Sequence, residues 1–124
     1  IAELRAAAGI SPDYPDVHYL AGRLLERQGR PRDAIEAYER VVKATETIDA
    51  ASAVLGIGHC RFARGEFKEA AKAFLKVDIL YGYDELKPEA LGMLVKTWEK
   101  LGNAEKAAKY RDERNRRYPP DKVP

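Results

Sequence analysis

The fold is decided by residues 65–77, GEFKEAAKAFLKV, which begin at a glycine and continue with the period of an amphipathic helix. Phe67, Ala70, Phe74 and Val77 recur at intervals of three and four residues, so they share one face of that helix. Gly65 suits the turn that ends a preceding helix, because glycine adopts left-handed backbone conformations at little cost. The stretch therefore predicts the second helix of a helix–turn–helix unit.

Copies of this unit lie on both sides of the stretch, at spacings of 36 and 37 residues. The residues in register are Gly29, Gly65 and Gly102; Gly22 and Gly58; Ala34, Ala70 and Ala107; Tyr38 and Phe74; and Val41 and Val77. A period of roughly 20 to 50 residues is typical of repeat proteins, in which neighbouring units cover each other's apolar faces.

Each copy predicts two helices. We expect helices over residues 15–28, 32–45, 49–64, 66–80, 88–101 and 103–118, and a short leading helix over residues 1–9. Pro88 lies near a predicted helix start, Asn103 suits an N-cap, and no segment resembles a strand. The single domain, residues 1–124, then divides into a leading half repeat at 1–14, repeats at about 15–49, 50–87 and 88–119, and a tail at 120–124.

Composition and charge narrow the classes of function. Lys and Arg number 22 against 20 Asp and Glu, and this net charge of +2 is too small to indicate nucleic acid or an anionic membrane as partner, so we expect nucleic acid binding to be unlikely. No apolar run approaches the roughly 20 residues that span a bilayer. One cysteine, Cys60, excludes an internal disulfide. The chain begins at Ile1 rather than methionine, so we expect a fragment, and a cytoplasmic or a periplasmic location stays open.

The small residues in register predict close packing within each helix pair. We expect Gly22 to face Ala34 and Gly58 to face Ala70, because two antiparallel helices approach closely only where side chains are small. A glycine inside a helix costs ~1 kcal/mol relative to alanine, and close packing would offset that cost.

A unit with a small residue in its first helix, glycine at the turn, alanine in its second helix, a following aromatic residue and a closing proline resembles the tetratricopeptide repeat. The matching residues are Gly22, Gly29, Ala34 and Tyr38; Gly58, Gly65, Ala70 and Phe74; and Trp98, Gly102, Ala107 and Pro119. The units are longer than the family's usual length of about 34 residues. The third departs further, with Val95, Arg111 and Arg114 at positions where the others have glycine, an aromatic residue and valine.

The resemblance covers essentially the whole chain and implies an all-α fold. It implies a right-handed α-solenoid of antiparallel helix pairs, coiled into a superhelix. It further implies a non-catalytic scaffold that binds proteins or peptides in its concave face.

Catalytic and metal chemistry find little support among the residues. His59 and Cys60 are adjacent, so on a helix they point roughly 100° apart and cannot pair as base and nucleophile. Together with His18 they give no metal-ligand spacing. We therefore predict no enzyme activity, no metal and no cofactor, and a structural role for Cys60.

For each of two segments, the sequence leaves two interpretations open. Residues 106–117 are rich in Lys and Arg, which favours a solvated cap at the end of the array; contact with RNA or an acidic partner is the alternative. Arg111 and Arg114 stand where Phe74 and Val77 would cover a next unit, so we expect the array to end here. Residues 79–83, ILYGY, either fold back over the second and third units or form an exposed interaction patch.

In solenoids of this type the first helices line the concave face. Leu55 and Phe62 are not needed for the partner-helix contact, so they favour a ligand surface; packing against neighbouring first helices is the alternative. The inward stripe of the third unit would be Glu89, Gly92, Lys96 and Glu99. We expect the groove to be formed by Tyr19, Arg23, Leu55, His59, Phe62 and Lys96, whose polar members suit a segment bearing carboxylates.

These features favour a protein–protein interaction scaffold that binds an extended or helical peptide in the concave groove. A structural or oligomerisation module, or an accessory domain of a larger enzyme or regulator, is the alternative. The truncated leading edge would leave Ile1 and Leu4 uncovered, so we also expect weak self-association there.

Overall fold

The computed structural model describes residues 15–119, which form six α-helices. They are α1 (Pro15–Arg27), α2 (Pro31–Ala44), α3 (Ile48–Ala63), α4 (Phe67–Ile79), α5 (Lys87–Lys100) and α6 (Ala104–Arg117). Every bound agrees with its prediction to within one residue, and residues 15–119 contain no strand. The predicted all-α helical-repeat fold is confirmed. The predicted leading helix, with Ile1 and Leu4, lies outside the described residues.

The turn inside each helix pair has the same hydrogen-bond pattern. Gly29, Gly65 and Gly102 have φ angles of 72°, 77° and 74°, in the left-handed region that glycine tolerates. In the first turn the Gly29 amide donates to Glu26 O at 3.1 Å and the Arg30 amide donates to Leu25 O at 2.9 Å. Both bonds recur at the other two turns, so each first helix ends in a Schellman motif and the second helix follows at once.

The helices stack in chain order, and two buried clusters link successive units. One cluster joins α1, α2 and α3 and includes Tyr38. The other joins α3, α4 and α5 and includes Phe74. In addition α1 contacts α3, whereas α2 and α4 do not approach each other comparably. The first helices therefore lie closer together in this part of the array, and a groove opens between α2 and α4.

The helix-interior glycines pack most closely against aromatic rings. A Cβ atom built on Gly22 would lie 2.5 Å from Cε1 of Tyr38, and one built on Gly58 would lie 2.6 Å from Cε1 of Phe74. The atoms nearest to these glycines are therefore ring carbons and not those of the expected Ala34 and Ala70. The physical reason is that the ring, one helical turn further on, fills the space that the missing side chain leaves.

Tyr38 is enclosed from two sides. Gly22 of α1 lies against one edge of its ring, and a Cβ built on Gly56 of α3 would lie 2.6 Å from Cε2 on the other edge. The Tyr38 hydroxyl donates to Oε1 of Glu26 at 2.8 Å. Burial, together with this hydrogen bond, raises the pKa of Tyr38 far above its usual range. The side chain therefore joins three helices as a neutral, hydrogen-bonded phenol.

The basic last helix is only partly a solvated surface. Lys106, Lys109, Arg111 and Arg116 are exposed, as expected. Arg114 and Arg117 are half-buried, so the expectation of full solvation is wrong for them. Nε of Arg114 donates to the Pro88 carbonyl at 3.2 Å. Long side chains at these positions reach back to α4 and α5.

The joint between α4 and α5 combines both predicted interpretations. Tyr81 is partly buried and packs against the cluster around Phe74. Ile79 and Leu80, by contrast, are 65% and 70% exposed. The aromatic residue thus folds back, while the two aliphatic residues before it form an exposed apolar patch.

Ala70→Leu is expected to destabilise the protein by ~1–3 kcal/mol, because Ala70 is fully buried and the added carbons would overpack the core. Thermal unfolding measures the effect. Ala63→Leu is the matched control, because Ala63 ends α3 and is exposed. Equal melting temperatures for the two variants would contradict the close packing of α4.

Candidate functional site

A depression on the face of the first helices contains the predicted inward stripe of the third unit. Its walls come from α3, α5 and α6, and its volume is about 660 Å³. We call it the inner site. Its polar and small lining residues are His59, Glu89, Gly92, Lys96, Glu99, Arg111, Arg114 and Asn115. The three residues from α6 are not among the predicted groove residues; Arg111 and Arg114 stand at positions that were expected to face a next unit.

Both carboxylates of the inner site face a basic group. Oε2 of Glu89 on α5 lies 3.7 Å from Nε2 of His59 on α3, and this contact links the two helices. Oε2 of Glu99 lies 3.3 Å from Nη2 of Arg111. Among residues 15–119, no carboxylate lies within ion-pair distance of Lys96, and its side chain is exposed. Lys96 is therefore a cation that can take an incoming carboxylate without breaking an existing pair.

Tyr19 and Arg23 form a second polar group, on α1. Tyr19 lies close to the Arg23 side chain and raises the pKa of the guanidinium. The Tyr19 ring is half-buried, with its centroid 5.9 Å from that of Tyr38. The Tyr19 ring thus packs against Tyr38, and the Arg23 guanidinium beside it is exposed.

The two apolar residues of the predicted groove have packing roles. Leu55 is only 6% exposed and belongs to the cluster around Phe74. Phe62 is partly buried against the same cluster, with its ring centroid 5.1 Å from that of Phe67. The interpretation of Leu55 as an exposed ligand contact is wrong, because α3 lies in the middle of the stack and is covered on several sides.

The structure therefore brings the six predicted residues into three places. His59 and Lys96 line the inner site together. Tyr19 and Arg23 form a pair on α1. Leu55 and Phe62 stabilise the core between them. Cations are therefore exposed at two places along the first helices, Arg23 on α1 and Lys96 on α5.

The cysteine that follows His59 is not an activated nucleophile. Cys60 is buried, and burial raises the pKa of its thiol to about 12, so the thiol is protonated at neutral pH. The neighbouring His59 ring packs edge-on against Phe74, 5.4 Å between centroids. Within residues 15–119, no three His, Cys, Asp or Glu side chains come together as metal ligands. No helix in that range is long and apolar enough to cross a membrane.

Comparison with known proteins gives a family and a fold. The sequence model described as tetratricopeptide repeat matches residues 19–85. No curated protein matches the chain. The TPR domain of Arabidopsis FLU superposes with a TM-score of 0.74 at 21% identity, over 83% of this chain and 92% of that one. MamA superposes with a TM-score of 0.78 at 21% identity, over 95% of this chain but 64% of its own.

Proposed function

Because the chain belongs to the tetratricopeptide repeat family, we propose that it is a non-catalytic interaction module that binds a peptide segment of a partner protein along its first helices. Proteins with this fold commonly bind other proteins, and this chain's own side chains support a particular kind of segment. The single observation that carries the proposal is the inner site, where Lys96 is exposed with no carboxylate partner among the described residues.

The charges of the first-helix face favour a segment with carboxylates. Lys96 at the inner site and the exposed guanidinium of Arg23 on α1 supply cationic donors at two places. Charge-assisted hydrogen bonds to carboxylates are shorter and stronger than neutral ones. Tyr19 and His59 add ring surface and hydrogen-bonding atoms beside these cations. An extended or helical segment with acidic residues, or with a free C-terminal carboxylate, would contact both groups.

The contact residues of this proposal are Tyr19, Arg23, His59 and Lys96. Leu55 and Phe62 act indirectly. They pack α3 against α4 and α5, and this packing fixes the position of His59. Arg111 and Asn115 of α6 extend the inner site and would contact the end of the segment.

The test is a selection of peptides from a random displayed library on the 124-residue chain, followed by affinity measurement. We expect the selected peptides to be rich in Asp and Glu or to end in a free carboxylate. Lys96→Glu should weaken their binding by about tenfold or more, which is ~1.4 kcal/mol. Lys100→Glu is the matched control, an exposed lysine on the same helix that does not line the inner site.

Two results would contradict the proposal. One is selected peptides without acidic character. The other is a Lys96→Glu variant that keeps full affinity while its circular dichroism spectrum matches that of the wild-type protein.

A structural or oligomerisation module is the second candidate, and one observation favours it. Leu20 and Leu24 of α1 are exposed and lie on the same side of the helix, one turn apart. Such a pair can pack against another molecule. Sedimentation velocity over a concentration series distinguishes the two functions, because Leu20→Glu would abolish self-association through α1 and leave the inner site unchanged.

A further inference from the structure

A second groove lies on the opposite side of α3, between α2 and α4. Its volume is about 620 Å³, and α3 forms its floor. It exists because α2 and α4 do not approach each other as α1 and α3 do. We call it the outer groove, and its apolar lining residues are Val42, Val54, Ile57, Leu75, Ile79 and Leu80.

The outer groove leaves much apolar surface in water. Ile79 and Leu80 at its end are the most exposed large apolar side chains among residues 15–119, at 65% and 70%. Apolar surface gains ~25 cal/mol per Å² on burial, so an exposed cleft of this kind favours a partner with an apolar face.

The lining of the outer groove carries four cations against two carboxylates, Glu39 and Glu69, and two of its lysines are unpaired. Lys43 of α2 and Lys76 of α4 have no ion pair among the described residues. The other two cations of the lining already have carboxylate partners: Arg61 lies 2.9 Å from Glu66, and Lys72 lies 3.5 Å from Glu69. Lys43 and Lys76 are therefore available to carboxylates of an incoming partner, one on each wall.

A second cleft, between α4 and α6, repeats this chemistry. It has a volume of about 390 Å³ and shares Lys72 and Leu75 with the outer groove. Lys68 also lines it, together with the partly buried Trp98, and none of its lining residues is acidic. The outer surface on both sides of α4 thus combines apolar and basic groups, which is complementary to an acidic amphipathic partner.

The shape of the outer groove points to a helix. α2 and α4 are the second helices of successive repeats, so they run in the same direction along the two walls of the cleft. α2 has 14 residues. At ~1.5 Å per residue, the groove can therefore take about four turns of a third helix. Helix-in-groove recognition places an apolar stripe in such a cleft and polar residues at its rim.

We propose that the outer groove binds an amphipathic helix of a partner protein, with aliphatic residues facing Ile57 and Leu75 and glutamates or aspartates beside Lys43 and Lys76. A second copy of the chain presenting this same face would bring together two surfaces that each carry more cations than carboxylates. A bilayer would contact projecting residues but would not fill a cleft. The proposal does not depend on peptide binding at the inner site, because α3 separates the two sites.

The test uses fluorescence anisotropy with a labelled designed peptide of about 14 residues that matches the length of α2. The peptide has leucines at helical i, i+3, i+4 and i+7 spacing and mainly glutamates elsewhere. A second peptide has lysine at every glutamate position. We expect the acidic peptide to bind the 124-residue chain and the basic peptide to bind about tenfold more weakly or worse.

Protein variants locate the binding. Lys43→Glu combined with Lys76→Glu, and separately Ile79→Glu, should each weaken binding of the acidic peptide by about tenfold. These side chains are exposed, so circular dichroism should show an unchanged fold. Arg40→Glu is the matched control, an exposed cation on α2 that does not line the outer groove, and it should bind with wild-type affinity.

Several results would overturn the proposal. They are no binding of the acidic peptide at about 100 μM, equal binding of the two peptides, and loss of binding in Lys96→Glu but not in the Lys43/Lys76 variant. Sedimentation of the chain with phosphatidylserine vesicles that is lost in Ile79→Glu would assign the surface to a membrane instead. A dimer that the same substitution dissociates would assign it to a second copy.

Discussion

Gly56→Ala is expected to destabilise the protein by ~1–3 kcal/mol, although alanine is ordinarily the better helix former. The new methyl group would lie 2.6 Å from Cε2 of Tyr38, closer than real contacts allow. The ring cannot move away, because Gly22 lies against its other edge and its hydroxyl is hydrogen-bonded to Glu26. The overpacking therefore exceeds the gain in helix propensity.

Gly92→Ala is the matched control and should have the opposite sign. A Cβ on Gly92 would lie 3.6 Å from Nε of Arg114, an ordinary contact with a long side chain. The substitution should therefore increase the free energy of unfolding by up to ~1 kcal/mol, because alanine is the better helix former. Urea unfolding followed by circular dichroism gives both values. A shift of the same sign for Gly56→Ala and Gly92→Ala would contradict the enclosure of Tyr38.

Arg117→Ala is expected to lower the free energy of unfolding by ~2–4 kcal/mol, because it would leave a buried carboxylate without its cation. Asp78 is only 8% exposed. Nη1 of Arg117 lies 3.1 Å from its Oδ1 and 3.4 Å from its Oδ2, and only the Oδ2 contact has hydrogen-bond geometry. The same guanidinium contacts Glu113 at 3.0 Å, and Nη2 lies 3.4 Å from the Tyr118 hydroxyl. Arg117 thus fastens the end of α6 to α4.

The control for this prediction is Arg116→Ala, because Arg116 is exposed and makes no ion pair with the described residues. Its effect on the free energy of unfolding should stay within about ±0.5 kcal/mol. Adding Asp78→Leu to the Arg117 variant should restore much of the lost stability, because it removes the unpaired buried charge. Chemical unfolding of the three proteins is the measurement. Equal stability of the two single variants would show that the Asp78 contact contributes nothing.

The helices and turns could be predicted because their signals are local. The turns are marked by Gly29, Gly65 and Gly102, which take the left-handed backbone conformation there. Between them, the periodic spacing of apolar residues identifies the helices. The stacking of one unit on the next is not local, and there the prediction failed. Leu55 has the spacing of an inward-facing residue, yet the neighbouring units bury it.

The polar contacts of α6 could not be predicted from the sequence either. Arg117 and Asp78 are 39 residues apart, and nothing in their spacing indicates that they meet. Arg111 and Arg114 were recognised as departures from the repeat, but their contribution to the inner site depends on how α6 packs against α5. Helix periodicity assigns a residue to a face, whereas the identity of the facing residue depends on tertiary packing.

The burial of Leu55 also affects how binding should be tested. Leu55→Glu would place a carboxylate in the cluster around Phe74 and unfold the unit, so a loss of binding would carry no information about the site. Exposed residues such as Lys96 change the surface and leave the core intact.

The central claim, that a partner segment lies along the first helices, is tested most directly by amide chemical-shift mapping. The isotope-labelled chain is titrated with the tightest peptide from the library selection. We predict that the largest shifts occur around Tyr19, Arg23, His59 and Lys96, with little change near Lys43 and Lys76. Shifts concentrated on the outer groove, or none on α1, α3 and α5, would contradict the claim.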